Sequence, residues 1–409
     1  MVRKMVLLKL SGRILINLSS LSTEGAVGNY NPLQRASVVF RKSPGSKELD
    51  IGEVPVITGN MLKHWHAIAV RDLEVTEAKS LTNKPALCDD CLRGVMMRTR
   101  LPLESEHSYI KKCVIDDLHG FLCAEREQKE TQPSASEGKA EEDAEKSDEE
   151  ERGLAIRRES LIKIGNVLPV EEHVRRGVSI DSLIHNRIVL KKTGVVDENY
   201  MMPFRREYTS SYFAFYAVSD LTYVGVPMSD PYTDDGKLKI VIPKDERLRR
   251  IGLAIDGFMA YFSDVRGAGS SRSLPHTKLL EAIALISKRG TSPLISAFYE
   301  DYIEQTLTSL SSNDTIIIAY NIDEKIDELK EKYKDDDNKL RIWEEKIFKT
   351  KTFEDFFKMI KEKIRVLTNQ EEVVELKEDE IKKLEEEIRK TKKRGKKGKK
   401  RIEESGIVQ

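Results

Sequence analysis

Cys88 and Cys91 form a CxxC pair, and Cys113 and Cys123 follow later in the chain. A CxxC turn presents two thiolates to one ion, so it supplies half of a tetrahedral zinc site. Cys113 and Cys123 are ten residues apart, well beyond the short spacing such sites use, and there is no second CxxC. The spacing therefore favours buried cysteines without metal, or a disulfide in a protein from a hot environment, over zinc held by Cys88, Cys91, Cys113 and Cys123. His64 and His66 fall in a helical segment, where residues two apart point about 200° from each other and cannot grip one ion. His64 suits a hydrogen bond to a phosphate or sugar, and His66 suits partial burial. No metal and no cofactor is expected.

A second kind of chemistry is anion binding. Asp264 to Pro275 reads DVRGAGSSRSLP, with two glycines, three serines and two arginines. Small residues let backbone N–H groups approach a phosphate, and Arg266 and Arg272 supply charge. The Walker lysine pattern is absent, which argues against a nucleotide triphosphatase. A flexible linker is the plainer alternative. Cations also recur around HNRIVLKKTGVVDENYMMPFRR, at His185, Arg187, Lys191, Lys192, Arg205 and Arg206. Asn186–Leu190 and Tyr200–Arg206 read as arms of a hairpin around KKTG. Met201, Met202 and Phe204 there could wedge between bases or fill core space.

These residues need elements to position them. From residue 6 the even positions read Val6, Leu8, Leu10, Gly12, Ile14, Ile16, Leu18, while the odd ones include Lys9, Ser11, Arg13 and Asn17. A period of two predicts a strand with one buried face and one solvated, cationic face. A loop rich in Gly25, Gly28, Asn29, Asn31 and Pro32 follows. The next helix has Asn60 as N-cap, an apolar face of Met61, Trp65, Ile68, Ala69 and Leu73, and Asn60, Lys63, His64 and Arg71 on another. Thr209 to Leu221 reads as a strand with Phe213, Phe215 and Ala217 on one face. Tyr212 and Tyr216 lie on the other, where open aromatics can stack bases. Residues 245–262 form an amphipathic helix, 277–288 stay undecided between strand and helix, and 314–320 read as a strand.

Charge is unevenly distributed. Lys+Arg and Asp+Glu both total 69 in 409 residues, so the formal net charge is zero. Charged residues make up 34%, an enrichment common in proteins from hot environments and in chains with disordered charged arms. Residues 125–151 carry 12 acidic and 4 basic side chains and no large apolar one, which predicts a disordered insertion. Lys392 to Arg401 reads KKRGKKGKKR, a mobile basic arm. Between them, 321–390 reads as charged surface helix, with Val374, Ile381 and Ile388 spaced by seven but too few heptads for a coiled coil. Without the acidic insertion the remainder is modestly basic, which fits a polyanion partner. The N-terminal apolar run is interrupted by Lys9 and Arg13 and does not read as a signal peptide, nor does any stretch read as a membrane span. The expectation is a soluble, cytoplasmic protein.

Taken in order, GRILINLSSLSTEGAVGNYNPLQRA, VPVITGNMLKHWHAIAVRD, HNRI, MMPFRREYTSSYFAFYAVSDLTYVG and RGAGSSRSLP resemble the DevR-type CRISPR-associated proteins. The closest resemblance is to the crRNA-binding backbone subunit of the archaeal type I-A Cascade complex, within the RAMP superfamily. It covers residues 1–123 and 153–320. The resemblance implies an α+β fold: a modified RRM (ferredoxin-like) palm with inserted fingers and a thumb hairpin. Residues 1–123 would be the first part of the palm with its fingers, and 124–152 the disordered acidic insertion. Residues 153–320 would be the thumb and the remainder of the palm, 321–390 a charged helical extension, and 391–409 a basic tail.

The resemblance also implies a partner and its contacts. Copies of the chain would assemble head to tail along one guide RNA beside other Cascade subunits, presenting guide bases to target DNA. Arg13, Asn17, Gly28, Asn29, Asn31, Asn60, Lys63 and His64 would lie on the RNA face. His185, Asn186, Arg187, Met201, Met202 and Arg205 would lie in or beside the thumb, and Arg266, Gly267, Gly269 and Arg272 in the glycine-rich loop. No catalytic residue and no membrane partner is implied. Two rivals stand beside this: a metal-dependent endoribonuclease using Asp181 or Asp197, and a sequence-specific transcriptional regulator, for which no helix-turn-helix pattern is present.

Overall fold

The computed structural model describes residues 5–25, 27–80, 84–96, 105–124, 155–187, 191, 193–194, 202–267, 273–310, 314–383 and 386. The acidic insertion, the basic arm, Ile388 and Asp197 lie outside that set, as does Lys192 of the KKTG turn. The chain is mixed α/β with a mixed sheet. It divides into two compact units: residues 1–81, 162–222 and 251–371, and residues 82–161, 223–250 and 372–409.

The first unit is built on a nine-stranded sheet. Its elements used below are β1 (Leu7–Ser19), α1 (Gly59–Ser80), β2 (Ile162–Ile164), β3 (Ile180–Arg187), β4 (Met202–Asp220), α2 (Lys244–Ser263, through Arg250 in the second unit), β5 (His276–Ser287) and β6 (Thr315–Tyr320). β5, β1, β4 and β2 are neighbours in that order, all antiparallel. β6 continues the sheet beyond β5, and the first eight residues of β4 pair with β3. Residues 277–288 are therefore strand.

The period of two in β1 positions its side chains as expected. Leu8, Leu10, Ile14 and Ile16 are buried. Ile14 and Ile16 meet Leu62 and His66 of α1, Phe215 of β4 and Phe258 of α2 around one apolar cavity. Gly12 stands opposite Phe215 and Ala282, and a Cβ there would sit 2.4 Å from the Glu281 carbonyl oxygen. Only glycine leaves room for the Phe215 ring at that crossing.

The other face of β1 is a correction. It is not solvated: the segment around 292–302 covers it. Lys9 Nζ donates to the Ser292 carbonyl (2.8 Å), the Ala297 amide donates to Ser11 Oγ (2.8 Å), and Arg13 Nε donates to the Ala297 carbonyl (3.0 Å). The polar residues that made this face look wet instead satisfy main-chain groups that would otherwise be buried without partners. The same face of the sheet packs Ala214, Ile283, Leu285, Ile317 and Ala319 against Phe298, Tyr302, Leu307 and Trp343. Tyr216 packs against this cluster too, whereas Tyr212 is exposed and stacks on His173, so only part of the tyrosine face of β4 is open.

Three further expectations change. The first helix begins at Gly59, so Asn60 is not its cap, and the Gly59 amide donates instead to Asn166 Oδ1 at 2.9 Å. Its buried stripe is Leu62, His66, Val70, Glu74 and Ala78, not the Trp65 face. Beyond residue 320 the chain is mainly helical, as expected, but not confined to the surface: a strand, Ile347–Thr350, joins β6 in parallel, and Trp343 is 1% exposed. The helix Phe353–Asn369 buries Phe356, Phe357, Ile360 and Ile364. Val374 lies in a short strand beside Leu238–Ile240.

The second unit holds small apolar clusters and one buried ionic network. Helices Glu106–Lys112 and Val114–His119 lead into a strand pair, Phe121–Ala124 with Ala155–Arg158. Arg158 donates to Asp117 Oδ1 (2.7 Å) and Glu106 Oε1 (2.9 Å), and Arg250 donates to Asp117 Oδ2 (3.0 Å). The charges offset each other's desolvation, so removing one would leave another uncompensated.

Candidate nucleic-acid interface

Half of the predicted binding residues gather at one end of the sheet. β1 runs antiparallel to β4 and β5, so the end of β1 meets the base of the β3–β4 hairpin and the start of β5. Asn17, near that end, faces His276 at the first position of β5. Just beyond, Leu18 adopts φ 54° and is exposed, with its amide donating to Ser210 Oγ at 2.9 Å. Such a backbone conformation in a leucine is uncommon and persists only where surrounding contacts enforce it.

The loop after β1 turns tightly at Gly28 and Asn29. Val27 and Tyr30 exchange backbone hydrogen bonds, and Gly28 takes φ 60°. Tyr30–Asn31 then runs parallel to Arg205–Arg206 of β4, and the Arg205 amide donates to the Asn29 carbonyl at 2.7 Å. Glu207 fastens this loop. It accepts from the Tyr30 hydroxyl, from the Leu33 amide at 2.9 Å, and from Arg35 Nη2 at 2.8 and 2.9 Å. Burial pushes the Glu207 carboxyl up, but these donors outweigh it and hold it below its ordinary value.

The β3–β4 hairpin is longer than the sequence suggests, pairing Ile180–Arg187 with Met202–Thr209. His185 stacks on Phe204 with ring centroids 5.3 Å apart and shares a hydrogen bond with the Tyr208 hydroxyl. Asn186 and Arg205 are exposed, whereas Arg206 is buried. Arg187 and Met202 pair across the hairpin, but their side chains, like Met201, are outside the described set.

A second group meets the same loop further along. Ser22 Oγ and Thr58 Oγ1 lie 3.2 Å apart, tying the loop to the start of α1, where Asn60 and His64 are exposed and Lys63 half-buried. Gly267 follows α2, and a Cβ there would stand 2.8 Å from the Leu21 carbonyl oxygen. Arg266 is exposed and paired with Asp264. Gly269 and Arg272 lie outside the described residues. Among the described residues, the side chains of Asn17, Asn29, Asn31, Asn60 and Asn186 make no hydrogen bond, and Arg205 makes no ion pair. The arrangement therefore offers polar donors and acceptors to a ligand, with backbone at glycine turns close to the surface.

Arg13 is not part of this group. Its guanidinium also reaches the Tyr299 carbonyl (3.2 Å), lies 3.6 Å from Glu281, and sits over the Tyr302 ring. His64 and His66 diverge as expected. His66 is buried against Phe258, its Nε2 2.9 Å from the Ala254 carbonyl, and burial pushes its pKa down to about 4. Asp181 is exposed on β3, and no metal-holding cluster surrounds it among the described residues.

One such cluster does exist, in the second unit. Cys88, Cys91, Cys113 and Asp116 bring one ligand atom each to within 4.8 Å of one another. No disulfide joins the cysteines. Cys123 lies apart, packed with Tyr109 and Phe121. Sequence reasoning missed Asp116, Glu207 and Leu18. Only Asp116 had a readable signal, since it follows Cys113 by the same three positions that separate Cys88 from Cys91.

Residues 10–307 match the family model described as CRISPR-associated negative auto-regulator DevR/Csa2. The chain belongs to the DevR/Csa2 family. A relative from Methanocaldococcus jannaschii, named CRISPR-associated protein Cas7/Cst2/DevR, is 30% identical over 312 residues, covering 73% of this chain and 86% of the relative. The Saccharolobus solfataricus protein named CRISPR-associated aCascade subunit Cas7/Csa2 2 is 23% identical, covering 73% and 85%. A solved chain titled CRISPR RNA-guided surveillance complex, pre-nicking, shares 8% identity at a TM-score of 0.44 over 88% of this chain and 99% of its own. The family match begins inside β1 and ends within Tyr302–Thr308, so it spans every element that brings the interface residues together. No described helix of this DevR/Csa2 chain is long and apolar enough to cross a membrane.

Proposed function

We propose that this chain is the repeating backbone subunit of a type I-A Cascade effector in cytoplasmic antiviral defence, binding CRISPR guide RNA without sequence choice and without cleaving it. Family membership supports the CRISPR setting, and the name of the Saccharolobus relative supports a Cascade partner set. The observation that carries the RNA reading is the end of the sheet where Asn17, Asn29, Asn31, Asn60, Asn186 and Arg205 converge beside glycine turns. Amide side chains and a lone cation suit phosphate and ribose, which every nucleotide has. Sequence reading would then be left to guide–target pairing.

The same reading makes β1, α1, β2, β4, α2 and β5 an RRM (ferredoxin-like) palm. The sheet order β5-β1-β4-β2, with α1 following β1 and α2 preceding β5, supports this. The β3–β4 hairpin would be the thumb, folding over the guide and interrupting its pairing with target DNA. A head-to-tail contact between identical copies would extend the assembly along the RNA.

The test is binding of two single-stranded RNAs of unrelated sequence, beside a DNA duplex, with Mg²⁺ present. Equal affinity for both RNAs, weak duplex binding and intact RNA are expected. Cleavage that Asp181→Ala abolishes would establish the ribonuclease instead, and preference for one duplex sequence the regulator.

A further inference from the structure

We propose that Cys88, Cys91, Cys113 and Asp116 form a structural zinc site that staples together the irregular part of the second unit. The ligands read C-x₂-C…C-x₂-D, two pairs of equal spacing separated by 21 residues. Two such pairs are the usual framework of a tetrahedral zinc site, here with a carboxylate in the fourth place. Cys123, the fourth cysteine, belongs to a different cluster and takes no part.

The geometry is nearly formed. Ligand atoms around one tetrahedral zinc at a zinc–sulfur distance of 2.3 Å stand about 3.8 Å apart. The four atoms here already lie within 4.8 Å of one another, so each needs to move by less than about 1 Å to bind. Cys88 caps the short helix Asp89–Leu92, and the Cys91 amide donates to Cys88 Sγ at 3.4 Å. An N–H aimed at sulfur favours the thiolate over the thiol, which is what a metal ligand requires. Gly94, at φ 78°, closes the turn by donating to the Cys91 carbonyl. Cys113 sits at the corner between Glu106–Lys112 and Val114–His119, and Asp116 lies one helical turn beyond it.

All four ligands come from the protein, and Cys91, Cys113 and Asp116 are at most 2% exposed. No coordination position is left for substrate, so the site is structural and not catalytic. Its place fits that role. Residues 84–96 hold one four-residue helix and reach the Cys113 corner through a backbone bond from Val114 to the Ala86 carbonyl. The second unit otherwise relies on small apolar clusters, and small cores are where metal staples are used. Binding Zn²⁺ displaces three thiol protons and leaves the site formally doubly negative.

The experiment is elemental analysis of the full-length protein, purified without a metal-affinity tag and dialysed against a mild chelator. About one zinc per chain is expected, retained by Cys123→Ser and lost by Cys91→Ser and Cys113→Ser. Cobalt(II) in place of zinc should give tetrahedral d–d bands and a thiolate-to-cobalt charge-transfer band. Asp116→Cys should keep the metal and intensify that band by a fourth thiolate, a result that stands even if the serine variants do not fold. Zinc far below one per chain with no cobalt band, equal loss in Cys123→Ser, or a Cys88–Cys91 disulfide in freshly purified protein would each overturn the proposal.

Discussion

Arg35 grips both carboxylate oxygens of Glu207, at 2.8 and 2.9 Å, and thereby holds the loop that carries Gly28, Asn29 and Asn31 against the base of the β3–β4 hairpin. The same carboxylate receives the Leu33 amide and the Tyr30 hydroxyl, so one side chain sets the position of a whole polar loop. Glu207→Ala should therefore release the loop. Hydrogen bonds to a charged group contribute about 1.5–3 kcal/mol each net of the water hydrogen bonds they replace. RNA affinity should fall by tenfold or more, although Glu207 itself, as an anion, would repel phosphate. Titration of a fluorescent RNA reads this directly; unchanged or tighter binding would show that the loop position does not matter.

Arg205 and Arg13 separate binding from packing. Arg205 is exposed and makes no ion pair among the described residues, so Arg205→Ala should reduce the log–log salt slope of RNA binding by about 0.7 without changing the melting temperature. Arg13 is engaged with two carbonyls, Glu281 and Tyr302. Arg13→Ala should cost about 1–3 kcal/mol of stability and leave the salt slope unchanged. Denaturant melts beside salt titrations of both variants check the pair.

His66 makes the fold acid-sensitive. Its folded pKa of about 4 is below the 6.5 of an unfolded histidine, so the unfolded state binds a proton that the folded state refuses. Stability is then unaffected above pH 6.5 and falls as pH drops from 6.5 towards 4, by up to about 3 kcal/mol. Glu207 adds to the loss at the lower end, because its depressed pKa stabilises the fold only while it is ionised. His66→Phe should flatten the upper part of this profile, measured as melting temperature against pH. An unchanged profile would assign the acid sensitivity elsewhere.

Helices α1 and α2 cross where Gly257 of α2 meets α1. A Cβ there would stand 2.7 Å from Val70 Cγ2 and 2.9 Å from His66 Nε2. Gly257→Ala should force the helices apart and cost about 1–3 kcal/mol despite the better helix propensity of alanine. Thermal unfolding of the variant measures this.

The sequence made β1, the strand through Phe213 and Phe215, and the helix through Phe258 readable, because each shows a clean period against one apolar face. It misled where polar residues are buried by partners distant in the chain. Lys9, Ser11 and Arg13 looked solvated because nothing local announces that residues 292–302 will cover them. The stripe of α1 was misread for a similar reason, since His66 and Glu74 occupy buried positions that propensity assigns to apolar residues. The burial of Trp343 and of one face of the helix Phe353–Asn369 was hidden in a highly charged stretch, whose exposed side chains outnumber the buried ones. At the interface, residue types were legible but their convergence was not, because it depends on the register between β1, β4 and β5.

The most direct test of guide-backbone function is nuclease footprinting of the purified chain on a long single-stranded RNA of arbitrary sequence. Protection should repeat at a regular interval, keep its period when the sequence is changed, and lengthen as protein is added. Isolated protected sites tied to sequence, or discrete cleavage products, would contradict it.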